Sequence, residues 1–320
     1  LFTVAVTLGT ALIFGLFPAL RARENGQAGT LRSEGRGNEG YRSRVWGALV
    51  GAEVALALVL LTGSGLLIRS FSAVVSEDPG FRGEDVVLNG VALSESKYPE
   101  EVDFRRFWED LLDRVEALPQ VSRAGVVSTV PLSGFVPNGL VHLDGDPSRA
   151  GDAAYVLASE GTFEALDIEV LRGRVFDETD RPEGPHTVVV SGSFAETYWP
   201  GEDPIGKLVS GGGLDGYSSM EDPLFGTVVV VADVRYRDLT RHGEATVYWY
   251  FLQRPRRMKS GATLAVESAV GNPALLANSV RTAIQEADPD VAPQVQLMHD
   301  QVADSVGERR FTLLVMSAFA

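Results

Sequence analysis

The chain contains no cysteine among its 320 residues. Disulfides, thiolate metal sites and cysteine nucleophiles are therefore excluded, so a folded region must be held together by its own apolar core. Basic residues are also too few to balance the acidic ones. The first 70 residues carry a net charge of +3 and the whole chain carries −15, so the remaining residues carry a net charge of −18. Because binding to phosphates requires clustered lysine and arginine, this acidic remainder argues against nucleic acid as a partner.

One stretch, residues 46–71, is almost without charge and contains only Glu53 and Arg69. About 20 apolar residues cross ~30 Å of hydrocarbon at a rise of ~1.5 Å per residue. The stretch has no polar face of the kind that a soluble core helix shows, so we predict a membrane span. Apolar residues continue beyond Phe71. We therefore expect the helix to extend as a stalk to about residue 77 and to carry movement outward.

The segment before this span is short and rich in arginine. Between Arg21 and Trp46 there are six arginines and three glutamates, with few apolar residues to bury. Such loops stay in the cytoplasm, so we predict a flexible cytoplasmic linker over residues 21–45 and an external region after the span. Uncharged residues 1–20 are expected to end a preceding span, and residues 310–320 to begin the next. The chain starts at Leu1 and stops within that last apolar run, so we expect a fragment of a longer membrane protein.

Strand and helix patterns alternate across residues 78–305. The clearest helix is 99–118, whose apolar residues recur at the spacing of one helical face; it lies between strands at 85–93 and 121–130. A second strand–helix–strand unit includes a helix from Pro273, which Asn272 caps. We predict an α+β domain, with a split β-α-β part over 78–130 and 225–305 and an inserted, mainly-β subdomain over 131–224. Further strands are predicted at 140–143, 154–158, 187–190, 227–231, 246–251, 262–266 and 294–298, with a short helix at 194–199 and a mobile loop at 211–223.

Three motifs suggest chemistry but fail on inspection. Gly201–Leu208 (GEDPIGKL) lacks the Ser or Thr that a phosphate-binding loop uses for magnesium, and Pro204 removes a backbone N–H, so we interpret it as a turn. Ser191 and Ser193 lack the glycines of a nucleophile elbow. The histidines have no ligand spacing, so we predict neither a metal site nor catalytic residues nor a bound cofactor. They are His142, His186, His242 and His299.

Other residues are candidates for contacts. Gly47 and Gly51 form a GxxxG pair that permits close helix–helix contact. Glu53 is a carboxylate inside the span, for which a role in helix packing and a conformational role both remain open. We treat Arg69 as a further candidate for coupling. A basic run in the acidic region is either a solvated loop between strands or a contact for lipid headgroups or an acidic partner. It consists of Arg254, Arg256, Arg257 and Lys259.

Several stretches together resemble the MacB/FtsX-like permease subunits of ABC transporters, in the duplicated form found in acidobacteria and related bacteria. They occur in the family's order and cover nearly the whole chain. The stretches are 15–22 (GLFPALRA), 54–71 (VALALVLLTGSGLLIRSF), 78–81 (DPGF), 162–180 (TFEALDIEVLRGRVFDETD), 194–207 (FAETYWPGEDPIGK), 231–238 (VADVRYRD) and 308–314 (ERRFTLL).

The resemblance implies a MacB-like periplasmic core domain with a porter-like part and an inserted subdomain. It also implies that residues 1–20 end the first FtsX-like half. In this family the membrane helices pass ATP-driven motion to the periplasmic domain, which is called mechanotransmission. The chain has neither a Walker motif nor an ABC signature, so the ATPase would be a separate chain. The protein would lie in the bacterial inner membrane as a homodimer or a pseudo-dimer of its two halves.

The leading hypothesis is therefore a non-catalytic permease subunit whose periplasmic domain moves or engages an exported substrate. Its expected partners are the ABC ATPase, membrane lipid and a periplasmic component. A second hypothesis is a membrane-anchored sensor or regulator that signals to a periplasmic enzyme or a sensor kinase. The third, an extracytoplasmic enzyme, has the least support because the motif search found no reactive group.

Overall fold

The computed structural model describes residues 38–75, 78–211, 225–237, 243–254, 261–305 and 307. Side chains are described for these residues except 38–46, 71–75 and 230. Contacts divide the chain into a first unit that ends at Gly63 and a second unit from Ser64 to Phe319.

A single long helix, α1, runs from Asn38 to Val75. It includes the whole predicted span and continues beyond Phe71, as expected. Its start corrects one prediction, because residues 38–45 are helical although the segment was expected to be flexible. Once a helix is nucleated, each further residue adds a hydrogen bond at little cost. A strongly helical apolar segment can therefore propagate its helix into polar neighbours.

Eleven strands of the described residues form one sheet within the second unit. The last helix of the described residues, α6, covers residues 298–305. The strands are β1 (Val86–Val91), β2 (Val121–Val127), β3 (Asn138–Leu143), β4 (Asp146–Ala158), β5 (Val170–Arg172), β6 (Thr187–Ser191), β7 (Leu208–Ser210), β8 (Phe225–Val231), β9 (Thr246–Tyr250), β10 (Ala262–Ser268) and β11 (Gln294–Leu297). The helices are α2 (Glu101–Glu116), α3 (Thr162–Ala165), α4 (Gly192–Tyr198) and α5 (Pro273–Ala287), and residues Phe251–Gln253 form a 3₁₀ turn.

One half of the sheet has the antiparallel order β11-β1-β10-β2. Its two units, β1-α2-β2 and β10-α5-β11, interleave as a split β-α-β pattern. Helices α2 and α5 contact each other and this half of the sheet. Helix α2 buries Trp108 and Leu111 completely, and Asn272 caps α5 by accepting a hydrogen bond from the Leu275 amide at 3.3 Å. The predicted α+β class is confirmed.

The other half closes on itself. Strands β4, β3, β7, β8, β6 and β9 pair in this order, and β9 pairs back with β4. A closed barrel removes unpaired strand edges. In the sheet, β2 and β4 pair at one position, Val127 with Ala158, and this pairing joins the two halves.

The barrel corrects the expected boundary at residue 225. Strands β8 and β9 were assigned to the split β-α-β part, but both belong to the barrel with strands of the inserted region. Alternating apolar residues indicate that a segment is a strand but do not identify the strand with which it pairs. Pairing is decided by tertiary contacts, which lie outside any local pattern.

Candidate functional site

The apolar part of α1 has the dimensions of a membrane span. Residues Gly47–Ser70 form 24 helical residues that include an 18-residue window with a mean hydropathy of 1.9, and none of them is buried. At ~1.5 Å per residue this segment is about 36 Å long, which matches the hydrocarbon thickness. The hydroxyl of Thr62 donates to the Leu58 carbonyl, so this polar group is satisfied within the helix.

The candidate residues of α1 do not share one face. At about 100° per residue, Gly47, Gly51 and Arg69 lie within ~40° of each other around the helix axis, whereas Glu53 lies on nearly the opposite side. A side chain added at either glycine would meet no atom within 4 Å. The helix therefore presents a small-residue face and a separate face with the carboxylate.

The first ectodomain residues after α1 are Asp78–Phe81, here called the docking segment. The Gly80 amide donates to the Asp78 carboxylate at 2.9 Å, and Phe81 is buried. Gly80 has φ +82°, and a Cβ placed on it would lie 1.7 Å from the Asp233 carbonyl oxygen. Only glycine fits this position, because the backbone of residue 233 occupies the space of a side chain.

Arg235 fixes the docking segment to the barrel side of the sheet. Its amide donates to the Pro79 carbonyl at 3.1 Å, and its Nε donates to the Asp78 carbonyl at 3.3 Å. Nearby, the Arg82 amide donates to the Leu166 carbonyl at 2.8 Å. The sequence did not predict this contact between the docking segment and Arg235. Residues 78–81 and 231–238 were both noted as resembling one family, but nothing in the sequence indicated that they touch.

The predicted basic contact surface needs correction at Arg254, which is fully buried. Its guanidinium carbon lies 4.4 Å from the centroid of the Trp249 ring. The flat, weakly hydrated guanidinium group stacks on aromatic rings, so an arginine can leave the surface where a lysine would stay. Arg256, Arg257 and Lys259 lie outside the described residues.

The phosphate-loop-like segment is a turn, as predicted. Gly201 and Gly206 have φ of 77° and 82°. The Lys207 ammonium group pairs with Glu202 at 2.5 Å and lies 5.5 Å from the centroid of the Trp199 ring. Lys207 is therefore engaged in structure and is not directed at a phosphate site.

A half-open groove of about 380 Å³ lies beside this turn, between β5 and α4. Its charged groups are largely paired: Arg172 lies 3.6 Å from Asp203, and Glu202 contacts Lys207. Leu171 and Trp199 contribute apolar surface. The groove has no convergent set of polar groups of the kind that fixes a small ligand.

The motifs with potential chemistry have structural roles. Ser191 Oγ accepts hydrogen bonds from the Phe194 amide at 3.3 Å and the Thr246 amide at 3.0 Å, so it caps α4 and joins it to β9. His142 is buried in β3, and the exposed His299 lies 3.2 Å from Asp300. Within the described ranges, no group of three residues could hold a metal ion. His242 is not among the described residues.

The buried carboxylate of Asp180 has a structural role. Burial disfavours the ionised form of Asp180, but hydrogen bonds from Arg174 at 2.8 Å and Thr187 at 2.5 Å outweigh that effect and lower the pKa of Asp180. The Asp177 amide adds a further hydrogen bond at 3.1 Å. This carboxylate fastens the loop after β5 to the start of β6.

Comparison with known proteins identifies the domain. The family model for the MacB-like periplasmic core domain matches residues 53–245. This range starts inside α1, includes the docking segment and most of the barrel, and stops before β9. The chain belongs to the MacB-like periplasmic core domain family, whose domains form the periplasmic part of ABC-type transporter permeases. No curated protein matches the chain.

The solved structures to which the chain is similar include a periplasmic region, an extracellular domain and a domain of a permease. The periplasmic region of MacB from Actinobacillus actinomycetemcomitans is 12% identical, with 73% of this chain and 97% of that chain covered and a TM-score of 0.48. The extracellular domain of the noncanonic ABC-type transporter YknZ from Gram-positive bacteria is 15% identical, with 66% and 99% covered and a TM-score of 0.43. A domain of a protein described as a permease from Porphyromonas gingivalis is 12% identical, with 68% and 92% covered and a TM-score of 0.42.

Proposed function

We propose that the chain is the permease subunit of an ABC-type export system that works by mechanotransmission. The observation that carries this proposal is the family match, because it spans both the apolar helix from Glu53 and the domain that follows it. Helix α1 is continuous to Val75, only a few residues before the docking segment. Movement of the helix would therefore reach the ectodomain through a short connection.

In this proposal the permease performs no chemistry itself. A separate cytoplasmic ATPase binds the inner side of the membrane helices and supplies the motion. The ectodomain engages the exported substrate or a periplasmic component. The absence of a Walker motif supports the assignment of ATP hydrolysis to another chain.

The proposed location is the bacterial inner membrane, with residues 21–45 in the cytoplasm and the acidic ectodomain in the periplasm. Arginine-rich short loops support this orientation. The small-residue face of Gly47 and Gly51 supports close contact with a second copy or with the other half of the full-length permease. Glu53 and Arg69 remain candidates for helix packing or coupling. Arg256, Arg257 and Lys259 remain candidates for contact with lipid or an acidic partner.

The test is purification of the full-length protein together with any bound ATPase, followed by ATPase assays in lipid vesicles. We expect a bound ATPase whose activity rises several-fold with the permease. Proline has no N–H and disrupts a helix interior, so Ala73→Pro should abolish this stimulation while the protein still inserts into the membrane. Ala73→Ser, which keeps the helix, is the matched control.

Two results would contradict the proposal. One is the absence of any bound ATPase combined with normal export in a deletion strain, which would favour the membrane-anchored sensor or regulator. The other is full stimulation in the Ala73→Pro variant, which would show that motion does not pass along α1.

A further inference from the structure

Two parts of the ectodomain adjoin segments that are predicted to span the membrane, and a short series of hydrogen bonds connects them. The docking segment, Asp78–Phe81, follows α1. Helix α6 precedes residues 310–320, which the sequence predicts to begin the next span. The two parts are more than two hundred residues apart in the chain. The docking segment is hydrogen-bonded to Arg235 and α6 to Leu132, and the loops that contain Arg235 and Leu132 are hydrogen-bonded to each other.

The connection can be followed bond by bond. Arg235 donates from its amide to the Pro79 carbonyl at 3.1 Å. The Arg235 carbonyl accepts from the Leu132 amide at 3.0 Å. The Leu132 carbonyl accepts from Nε2 of Gln301 in α6 at 2.8 Å. We call this series, from Pro79 through Arg235 and Leu132 to Gln301, the bridge.

Leu132 is held in an unusual conformation at the centre of the bridge. It has φ +58° and is only 3% exposed. A leucine in the left-handed region is uncommon, and such a residue persists where its surroundings determine its conformation. Both its amide and its carbonyl are used, one toward Arg235 and the other toward Gln301. In the same loop, the Gly134 amide donates to the Tyr236 carbonyl at 3.2 Å, which reinforces the attachment of the Leu132 loop to the loop of Arg235.

Gln301 is the part of the bridge that can be changed without altering the backbone. Its Oε1 accepts from Gln296 of β11 at 2.9 Å, so its amide group is oriented with Nε2 toward Leu132. The start of α6 is held independently, because Met298 is fully buried and lies against Gly83. The later turn of α6 is held by the hydrogen bonds of Gln301 and by Val302, which packs against the core.

We propose that Gln301 and Arg235 are positioning residues that make α6 and the docking segment move as one body. Displacement of α1 would then reach the segment that leads to the next span directly, instead of being lost in loops. This inference rests on the proposed permease function for its purpose, but its test does not require an ATPase.

The test uses Gln301→Glu, which keeps the length of the side chain and the acceptor for Gln296 but removes the donor to Leu132. Spin labels are attached at Glu84→Cys and Asp304→Cys, both exposed, in the full-length protein in lipid nanodiscs of phosphatidylethanolamine and phosphatidylglycerol. The chain has no cysteine of its own, so no further substitution is needed within it. Gln294→Glu introduces the same charge at an exposed position of β11 and is the matched control.

We expect a single narrow distance distribution in the unsubstituted protein and in Gln294→Glu. Loss of a hydrogen bond to a buried carbonyl corresponds to about a tenfold rise in the detached population, so Gln301→Glu should add a broad second component. An unchanged distribution in Gln301→Glu would overturn the inference, and so would equal broadening in the control. Failure of any ATPase to bind the unsubstituted protein would contradict the proposed function alone, since the distance measurement still decides whether the bridge holds α6.

Discussion

Residues with the same backbone conformation have different costs of substitution in this ectodomain. Gly80 and Gly134 have φ of 82° and 81°. A Cβ on Gly80 would overlap the Asp233 carbonyl, whereas a Cβ on Gly134 would meet no atom within 4 Å. Substitutions at the two glycines therefore distinguish the free-energy cost of a left-handed backbone from the cost of a close contact.

Gly80→Ala should destabilise the ectodomain more than Gly134→Ala. A left-handed alanine alone costs about 1–2 kcal/mol, and this is the loss expected at Gly134. At Gly80 the docking segment must also shift away from residue 233, so the free energy of unfolding should fall by about 3 kcal/mol or more. Chemical denaturation followed by tryptophan fluorescence measures both values. Equal losses would mean that the docking segment is not held against residue 233.

Asp180 should make stability depend on pH. Its pKa is lowered in the folded protein, so its contribution is complete above the unfolded carboxyl pKa of about 3.9 and is lost as pH falls through the folded value. Asp180→Asn should lower the free energy of unfolding by about 2 kcal/mol at pH 7, because hydrogen bonds to a charged group are lost. The difference from the unsubstituted protein should shrink as pH approaches 3.

The control for Asp180 is Asp110→Asn. Asp110 pairs with Arg114 on an exposed face of α2 at 2.7 Å, and such surface pairs contribute about 0–1 kcal/mol. At pH 7 this variant should lose far less of the free energy of unfolding than Asp180→Asn does. A loss at Asp180 that does not change with pH would contradict the assignment of an ionised carboxylate.

At the scale of elements, periodicity predicted long amphipathic segments well and short ones poorly. The helix expected over 99–118 is α2, Glu101–Glu116, because five of its apolar residues fall on one buried face. Strands β5 and β7, of three residues each, were not predicted because so few residues show no period. The prediction for β4 covered only residues 154–158, because the first half of the strand is exposed and polar and shows no apolar pattern. This first half is nevertheless extended because it pairs with β3.

The candidate contact residues show the same limit. Local sequence identified the apolar helix and the glycine pair, both of which lie within one element. It placed Arg254 on the surface, although this residue is buried against Trp249. It also missed Arg235, Leu132 and Gln301, because their contacts join segments that are about 100 to 170 residues apart in the chain.

The two faces of α1 can be distinguished by substitution. Gly51→Ile should weaken association between permease copies at least tenfold, because it fills the face that permits close approach. Ala57→Ile places the same side chain near the Glu53 side and should leave association unchanged. Energy transfer between labelled copies in vesicles measures the affinity. If Ala57→Ile is the disruptive change, the Glu53 side forms the contact and the glycine interpretation is wrong.

At the scale of the whole molecule, the orientation can be tested with single cysteines, since the chain has none. Val270 is 60% exposed in the ectodomain, and Ser33 lies in the arginine-rich linker. A membrane-impermeant maleimide added to cells with a permeabilised outer membrane should label Val270→Cys and not Ser33→Cys. Lysis of the cells should make both react. The reverse pattern would place the acidic domain in the cytoplasm and refute the proposed orientation.

The order β11-β1-β10-β2 has a consequence for biogenesis. Strands β1 and β2 do not pair with each other, because β10 lies between them. The six barrel strands are all synthesised before β10 appears. At a synthesis rate of about 5–20 residues per second, the nascent chain therefore exposes both edges of β1 and one edge of β2 for roughly ten seconds or more. During that interval the half-made domain has to be protected from aggregation, so its yield in the cell should depend on chaperones that bind extended segments as they leave the translocation machinery.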